Sequence, residues 1–226
     1  MQGTLANVLA IILGAILGTL FGKQLPEKIK NTVMQGVGLV VLFIGLEMAL
    51  ETENLLIVLL SILGGAVIGE LLSIQERLNK WGEKLKNRFD STGGSLFTQG
   101  FVSSSLIYCV GALAVMGPLE SGLTGEHSIL YAKSILDGVM SIVLSATFGI
   151  GVAFSALAVL LYQGSITLMA GWVSTFLTEA VISEITATGG ILIIGLGIII
   201  LDIKDIKVAN LLPALLFAFV LALFWN

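Results

Sequence analysis

The stretch AKSILDGVMS sets Lys133 and Asp137 four residues apart, on one face of a helix. Beyond Asp137 the chain is apolar to residue 163. A carboxylate inside a membrane helix is costly, and by default it marks a seat or route for an ion or polar solute. The competing reading is a Lys–Asp pair snorkelling to the interface, with Asp137 about one turn inside the membrane. Ser134, Ser141 and Ser145 extend the polar character along the segment. Asp137-Gly138 also marks a place where a helix can break and offer free backbone groups.

A second stretch, GFVSSSLIYCVGALAVMG (100–117), carries the consecutive hydroxyls Ser103, Ser104 and Ser105 between Gly100 and the glycines at 111 and 117. One Ser in a membrane helix bonds the carbonyl three or four residues back and needs no further role. Consecutive hydroxyls point in different directions and cannot all face one neighbour. Irregular backbone survives at membrane depth only when buried in protein or lining a wet cavity. A small-residue packing face and a polar binding site are both open readings here.

Other chemistry is thinner. His127 is the sole histidine and Cys109 the sole cysteine, which excludes a multi-histidine metal site and an internal disulfide. There is no His-Glu-x-x-His motif and no nucleotide-binding loop. A Ser–Lys pair using Lys133 is conceivable, but nothing in the spacing supports it. The chain therefore reads as a non-enzyme without cofactor or resident metal, and without a nucleic-acid partner. Glu47 and Glu70 sit near the ends of apolar runs and read as interfacial. Asn7, Gln35, Tyr108, Gln163, Thr186 and Thr188 lie in or near spans, each an ordinary interhelical hydrogen-bonder when taken alone.

The elements that must position these groups are membrane helices. Of 226 residues, 56% are apolar and 12% charged, against about 25% charged in a soluble domain. Several runs exceed the roughly 17 residues that cross a bilayer as helix. The fold class is all-α, a polytopic bundle with a broken or re-entrant central segment. Spans are expected at about 4–22, 32–50, 54–71 and 95–117, then within 133–163, and at 187–201 and 208–225. No cleavable signal peptide is apparent, because the N-terminus lacks a basic region before its apolar run. Gly14, Gly18 and Gly22, and again Gly65 and Gly69, make flat faces for close helix approach. Ser73 and Glu76 read as a capping box. The box opens an amphipathic surface helix over 72–94, with Ile74, Leu78, Trp81, Leu85 and Phe89 on one face.

Residues 133–163 are too long for one perpendicular crossing and short for two. One tilted crossing, followed by a polar 165–186 at the interface, gives seven spans and is the preferred layout. Residues 133–163 form one tilted helix or one broken near Gly149-Ile150-Gly151, and a further crossing by 165–180 gives eight spans. Of the 11 Lys and Arg, eight fall in the first link and the surface helix. By the positive-inside rule that face is cytoplasmic, and the N-terminus lies outside.

The segment 25–50 aligns over 177–202 without a gap, and NLLIVLL (54–60) over NLLPALL (210–216). Repeats of this kind are building units of transporters. The expected division is a first three-helix repeat (1–71), the surface helix (72–94), a central span with an external loop (95–132) and a second repeat (133–226). The repeat is parallel with seven spans and inverted with eight.

The runs GFVSSSLIYCVGALAVMG, LTGEHSILYAKSILDG, YQGSITLMAG, TATGGILIIGLG and NLLPALL resemble the YqgA/YdfK-like bacterial inner-membrane proteins. The resemblance covers essentially the whole chain. It implies a bacterial plasma-membrane location and a transport role, and supplies no substrate or catalytic residue.

Together these readings point to a small transporter embedded in the lipid bilayer, moving a small polar solute or ion, with Na+ or H+ as coupling ion. The expected site joins Ser103, Ser104 and Ser105 with Lys133, Asp137, Gly138 and Ser141. A homodimer packed through glycine faces is the expected assembly. A non-transporting membrane partner or sensor protein is the alternative.

Overall fold

A computed structural model describes residues 1–22, 26–80 and 94–225, and among them there is no strand. The helices are α1 (Gln2–Gly22), α2 (Glu27–Ala49), α3 (Leu55–Leu71), α4 (Ile74–Lys80), α5 (Gly94–Cys109) and α6 (Ala112–Leu123). They continue with α7 (Ser128–Phe148), α8 (Gly151–Leu168), the short α9 (Ala170–Val173), α10 (Glu179–Ile200) and α11 (Pro213–Trp225). Pro213 stands at the first position of α11, where its missing N–H costs nothing.

Among the described residues six helices are long and apolar enough to cross a membrane, and the number is eight if each of two bent pairs, α3 with α4 and α5 with α6, forms one span. The expectation of one crossing over 133–163 is overturned. The positive φ of Gly149 turns the chain between α7 and α8, and these helices reach outward to 21 and 18 residues by starting at Ser128 and ending at Leu168. The expected division at 133 therefore falls inside α7.

Glycine decides which helices meet. A Cβ on Gly14 would fall on the Gly138 carbonyl, one on Gly18 on that of Ile142, and one on Gly22 on that of Ala146, so α1 lies along α7 in the same direction. Gly38 meets Leu201, Gly45 meets Ile194, and Gly190 meets Ala49, so α2 and α10 run antiparallel. Gly64 against Phe217 and Gly69 against Asn210 set α3 antiparallel to α11 in the same way. The two stretches matched in sequence thus pack against each other in opposite directions. The glycine faces expected to join two copies of the chain are consumed within one.

Burying small residues lets backbones approach where lipid offers no hydrophobic gain. Gly18→Ala should therefore lower stability by about 1–3 kcal/mol through overpacking. Gly36, whose added Cβ would meet nothing within 4 Å among the described residues, supplies the control. Gly36→Ala should be neutral or stabilising, because Ala is the better helix former. Thermal midpoints in detergent check the pair.

The polar ends are tied by side chains. Glu184 of α10, 1% exposed, accepts from Thr52 Oγ1 at 2.8 Å, Glu53 N at 2.9 Å and Asn54 N at 2.8 Å. It thereby holds the turn that starts α3. At the opposite face Asn210 donates to Glu70 at 2.6 Å and accepts from Gln75 N at 2.7 Å. Lys207 also bonds Glu70 at 2.6 Å. The capping box is not formed. Ser73 takes φ 50° and its hydroxyl turns back toward the Glu70 carbonyl, although α4 still begins at Ile74. The remainder of the expected surface helix, 81–93, lies outside the described residues.

Candidate ion- and solute-binding site

Helix α7 is amphipathic in reverse. Its buried face carries Lys133, Ser134, Asp137, Ser141 and Ser145 at three- and four-residue steps. Its outward face carries Ile135, Leu136 and Val139, each more than half exposed. Lipid favours that polarity, since polar groups must turn inward to find partners. The helix is unbroken through Asp137-Gly138, contrary to the expected break, and the Gly138 carbonyl serves the close contact with α1. Asp137 lies about 13 Å along α7 from Ser128, at 1.5 Å per residue. It sits close to the middle of the helix rather than one turn inside.

Lys133 and Asp137 are 5% and 6% exposed. The ammonium spans both carboxylate oxygens, at 3.0 Å and 2.8 Å. Asn7 of α1 donates its amide to Asp137 at 2.9 Å and, at 3.4 Å, to Gln163 of α8. Tyr108 of α5, fully buried, shares a 2.7 Å hydrogen bond with Ser141. Ser134 and Ser145 satisfy themselves on the carbonyls of Leu130 and Ser141. Side chains from α1, α5, α7 and α8 therefore meet in one buried polar knot around one ion pair.

The three serines do not join it. Residues 100–105 are regular helix, and Ser104 donates to the Gly100 carbonyl at 2.6 Å. Ser103 faces a pocket of about 430 Å³ beside Gln75 and Lys207, and Ser105 a separate apolar one beside Cys109 and Tyr162. Their divergence is what three adjacent helical positions dictate. One turn beyond Ser104, Tyr108 is the α5 residue that reaches the knot. The break expected around the serines falls later, at Val110-Gly111, where α5 and α6 meet at 60°. Gly111 takes φ 125°, a conformation only glycine adopts easily.

That break floors a groove of about 850 Å³ whose lining includes Gly111, Lys133, Asp137, Thr186 and Glu47. The groove separates α2 from α7 and has mostly apolar walls. At its mouth the Glu51 carboxyl is held above its ordinary range, first by partial burial and then by the like charge of Glu47. Among the described residues no group of His, Cys, Asp and Glu could hold a metal ion. His127 is hydrogen-bonded to Ser121 at 2.9 Å at the end of α6.

Asn7, Tyr108 and Gln163 are members of the knot that spacing alone did not join to Asp137. Each is a lone polar residue in an apolar run, and only tertiary packing brings them together. Their shared signal was that each sits where a membrane helix should be apolar.

The chain resembles the "Uncharacterized membrane protein YdfK" of Bacillus subtilis (strain 168), with 34% identity over 220 residues, 96% of this chain and 93% of that protein. It is 31% identical to the "Uncharacterized protein YqgA" of Escherichia coli (strain K12) over 228 residues, 99% of this chain and 97% of that protein. No solved structure matches. A family model matches residues 2–223, so this membrane protein belongs to DUF554, a family described as proteins of unknown function.

Proposed function

We propose that the protein transports a small polar solute or ion across the bacterial plasma membrane through the Lys133–Asp137 knot. The observation that carries this reading is a buried ion pair near the middle of a spanning helix, tied to Asn7 and Gln163 and bordering a groove at a broken helix. A charge at that depth is expensive and is retained where it works. Broken helices at membrane depth offer free backbone groups to solutes, as in transporters built from inverted repeats. The antiparallel α2–α10 and α3–α11 pairs have the geometry an inverted repeat requires, and we read them so.

In this reading the N-terminus lies outside. Ten of the 11 Lys and Arg lie in or beside the segments linking α1 to α2, α3 to α5 and α10 to α11. With eight crossings those segments share one face, the cytoplasmic one. The only exception is Lys133, inside the knot. An enzymatic reading finds no nucleophile–base pair among the described residues of the knot, and a purely structural partner protein leaves the groove beside Asp137 without a role.

The test is thermal unfolding of the purified protein across pH, Na+, Li+, K+ and a panel of small metabolites. A ligand bound only by the folded state at a hundred times its Kd adds about 2.7 kcal/mol. The expected result is a specific upward shift that disappears in Asp137→Asn. A flat response across the panel overturns the reading.

A further inference from the structure

Beside the ion pair runs a row of buried polar atoms with no hydrogen-bond partner among the described residues. Thr4 Oγ1, Asn7 Oδ1, Gln163 Nε2 and Thr167 Oγ1 are all unbonded, on side chains between 0% and 8% exposed. Buried polar groups in folded proteins nearly always have a partner, protein or water. Four such atoms together on two facing helices call for one explanation.

The register places them in line. Helices α1 and α8 are antiparallel, with Asn7 against Gln163 and the side chain of Met1 against Gly164. Thr4 lies one turn from Asn7 toward the start of α1, and Thr167 one turn from Gln163 toward the end of α8. Both steps lead to the same membrane face. Gly122, near the end of α6, closes against the Thr167 carbonyl and supplies a third wall. Beyond it come Ser121, His127 and the exposed Glu126.

Donor and acceptor roles follow from Asp137. A carboxylate only accepts, so Asn7 must turn its NH2 toward it, leaving Asn7 Oδ1 free. The same NH2 reaches Gln163 Oε1, leaving Gln163 Nε2 free as a donor. Hydroxyl, carbonyl and amide N–H therefore succeed one another along the row. Water can bond all of them, since it both donates and accepts. A bare metal cation is repelled by the free N–H, and the Asp137 carboxylate already faces the Lys133 ammonium.

We propose that α1, α8 and α6 enclose a narrow, water-bearing passage from the face where α1 begins to Asp137, and that the ion it delivers is the proton. This deepens the transport reading and depends on it only for its purpose. A proton passed along the waters would form an O–H bond on the Asp137 carboxylate, and the last water would regain neutrality. The charged and titratable groups around Asp137 are Lys133 on its own helix, Tyr108 and Cys109 on α5, and Glu47 and Glu51 across the groove. From α1 it meets the amide of Asn7, which also reaches Gln163 of α8, and Tyr162 of α8 lines the same pocket as Cys109.

The test is silver-ion access in chloride-free buffer, since Ag+ is small enough for a narrow aqueous path and binds thiols. Thr4→Cys and Thr167→Cys are made singly in a Cys109→Ala background, with Leu5→Cys and Leu168→Cys as lipid-facing controls of similar depth. The readout is loss of maleimide labelling after denaturation, measured on right-side-out and inverted vesicles. The expected result is at least tenfold faster blocking at either passage position than at its neighbour, from the outer face alone. Equal rates at passage and control positions, or blocking from the cytoplasmic face alone, overturn the proposal. Either threonine suffices should the other variant fail to fold. Fast blocking in a protein with no ligand response would sustain the passage while removing the transport reading. Equal rates alongside a ligand response would do the reverse.

Discussion

Lys133→Met should destabilise the folded protein by about 3–5 kcal/mol, the cost of leaving one partner of a buried ion pair alone. Among the described residues the ammonium is the only cation bonded to Asp137, and the Asn7 amide is a neutral donor that cannot replace its charge. Both residues are about 95% buried, so solvent cannot compensate. The double variant Lys133→Met/Asp137→Leu should recover most of the loss, because replacing both members of a buried pair with apolar residues is often neutral. Unfolding titrations in mixed micelles measure the cycle. A Lys133→Met protein as stable as the parent would mean that the pair contributes no charge to the folded state. The same double variant separates folding from transport. It should be stable and fail to respond to any ligand that shifts the parent protein.

Glu184→Ala is the second large effect. Three donors converge on that carboxylate, two of them the backbone N–H groups of Glu53 and Asn54 at the start of α3. Each hydrogen bond to a charged group contributes about 1.5–3 kcal/mol, and each donor left buried without a partner adds a penalty. Glu53 and Asn54 lie near the surface, where water restores part of the bonding. We expect a net loss of about 3 kcal/mol and fraying of the first turn of α3. Glu184→Gln keeps one accepting oxygen for the two amides and should lose about half as much. Hydrogen exchange at Glu53 and Asn54 locates the effect. Unchanged protection there in Glu184→Ala would show that the turn holds itself.

Glu184 also shows where sequence reading fails. With Glu179 and the nearby hydroxyls it marked 165–186 as interfacial, and no candidate span runs through that stretch, but nothing local showed what its carboxylate bonds. Its polarity is spent on a turn 130 residues away in the chain. A carboxylate near a span end looks the same in sequence whether water or a distant backbone solvates it.

Some properties followed from the residues alone. Membrane residence followed from length and apolarity, because a backbone in lipid must satisfy its own hydrogen bonds and only long apolar helices do so. The close-packing faces were legible from glycine spacing, since period and side-chain size are local properties. So was the Lys133–Asp137 pair, as four-residue spacing and opposite charge suffice to mark it. Tertiary structure alone decided the rest. It turned Ser103, Ser104 and Ser105 away from Asp137, moved the break to Gly111, and brought Asn7, Tyr108 and Gln163 around the pair. A helix presents each residue every 100° or so, but which neighbour stands at that angle is set by the packing of other helices. Partners 33 to 156 residues apart, such as Tyr108 with Ser141 or Asn7 with Gln163, are joined by that packing and by nothing local.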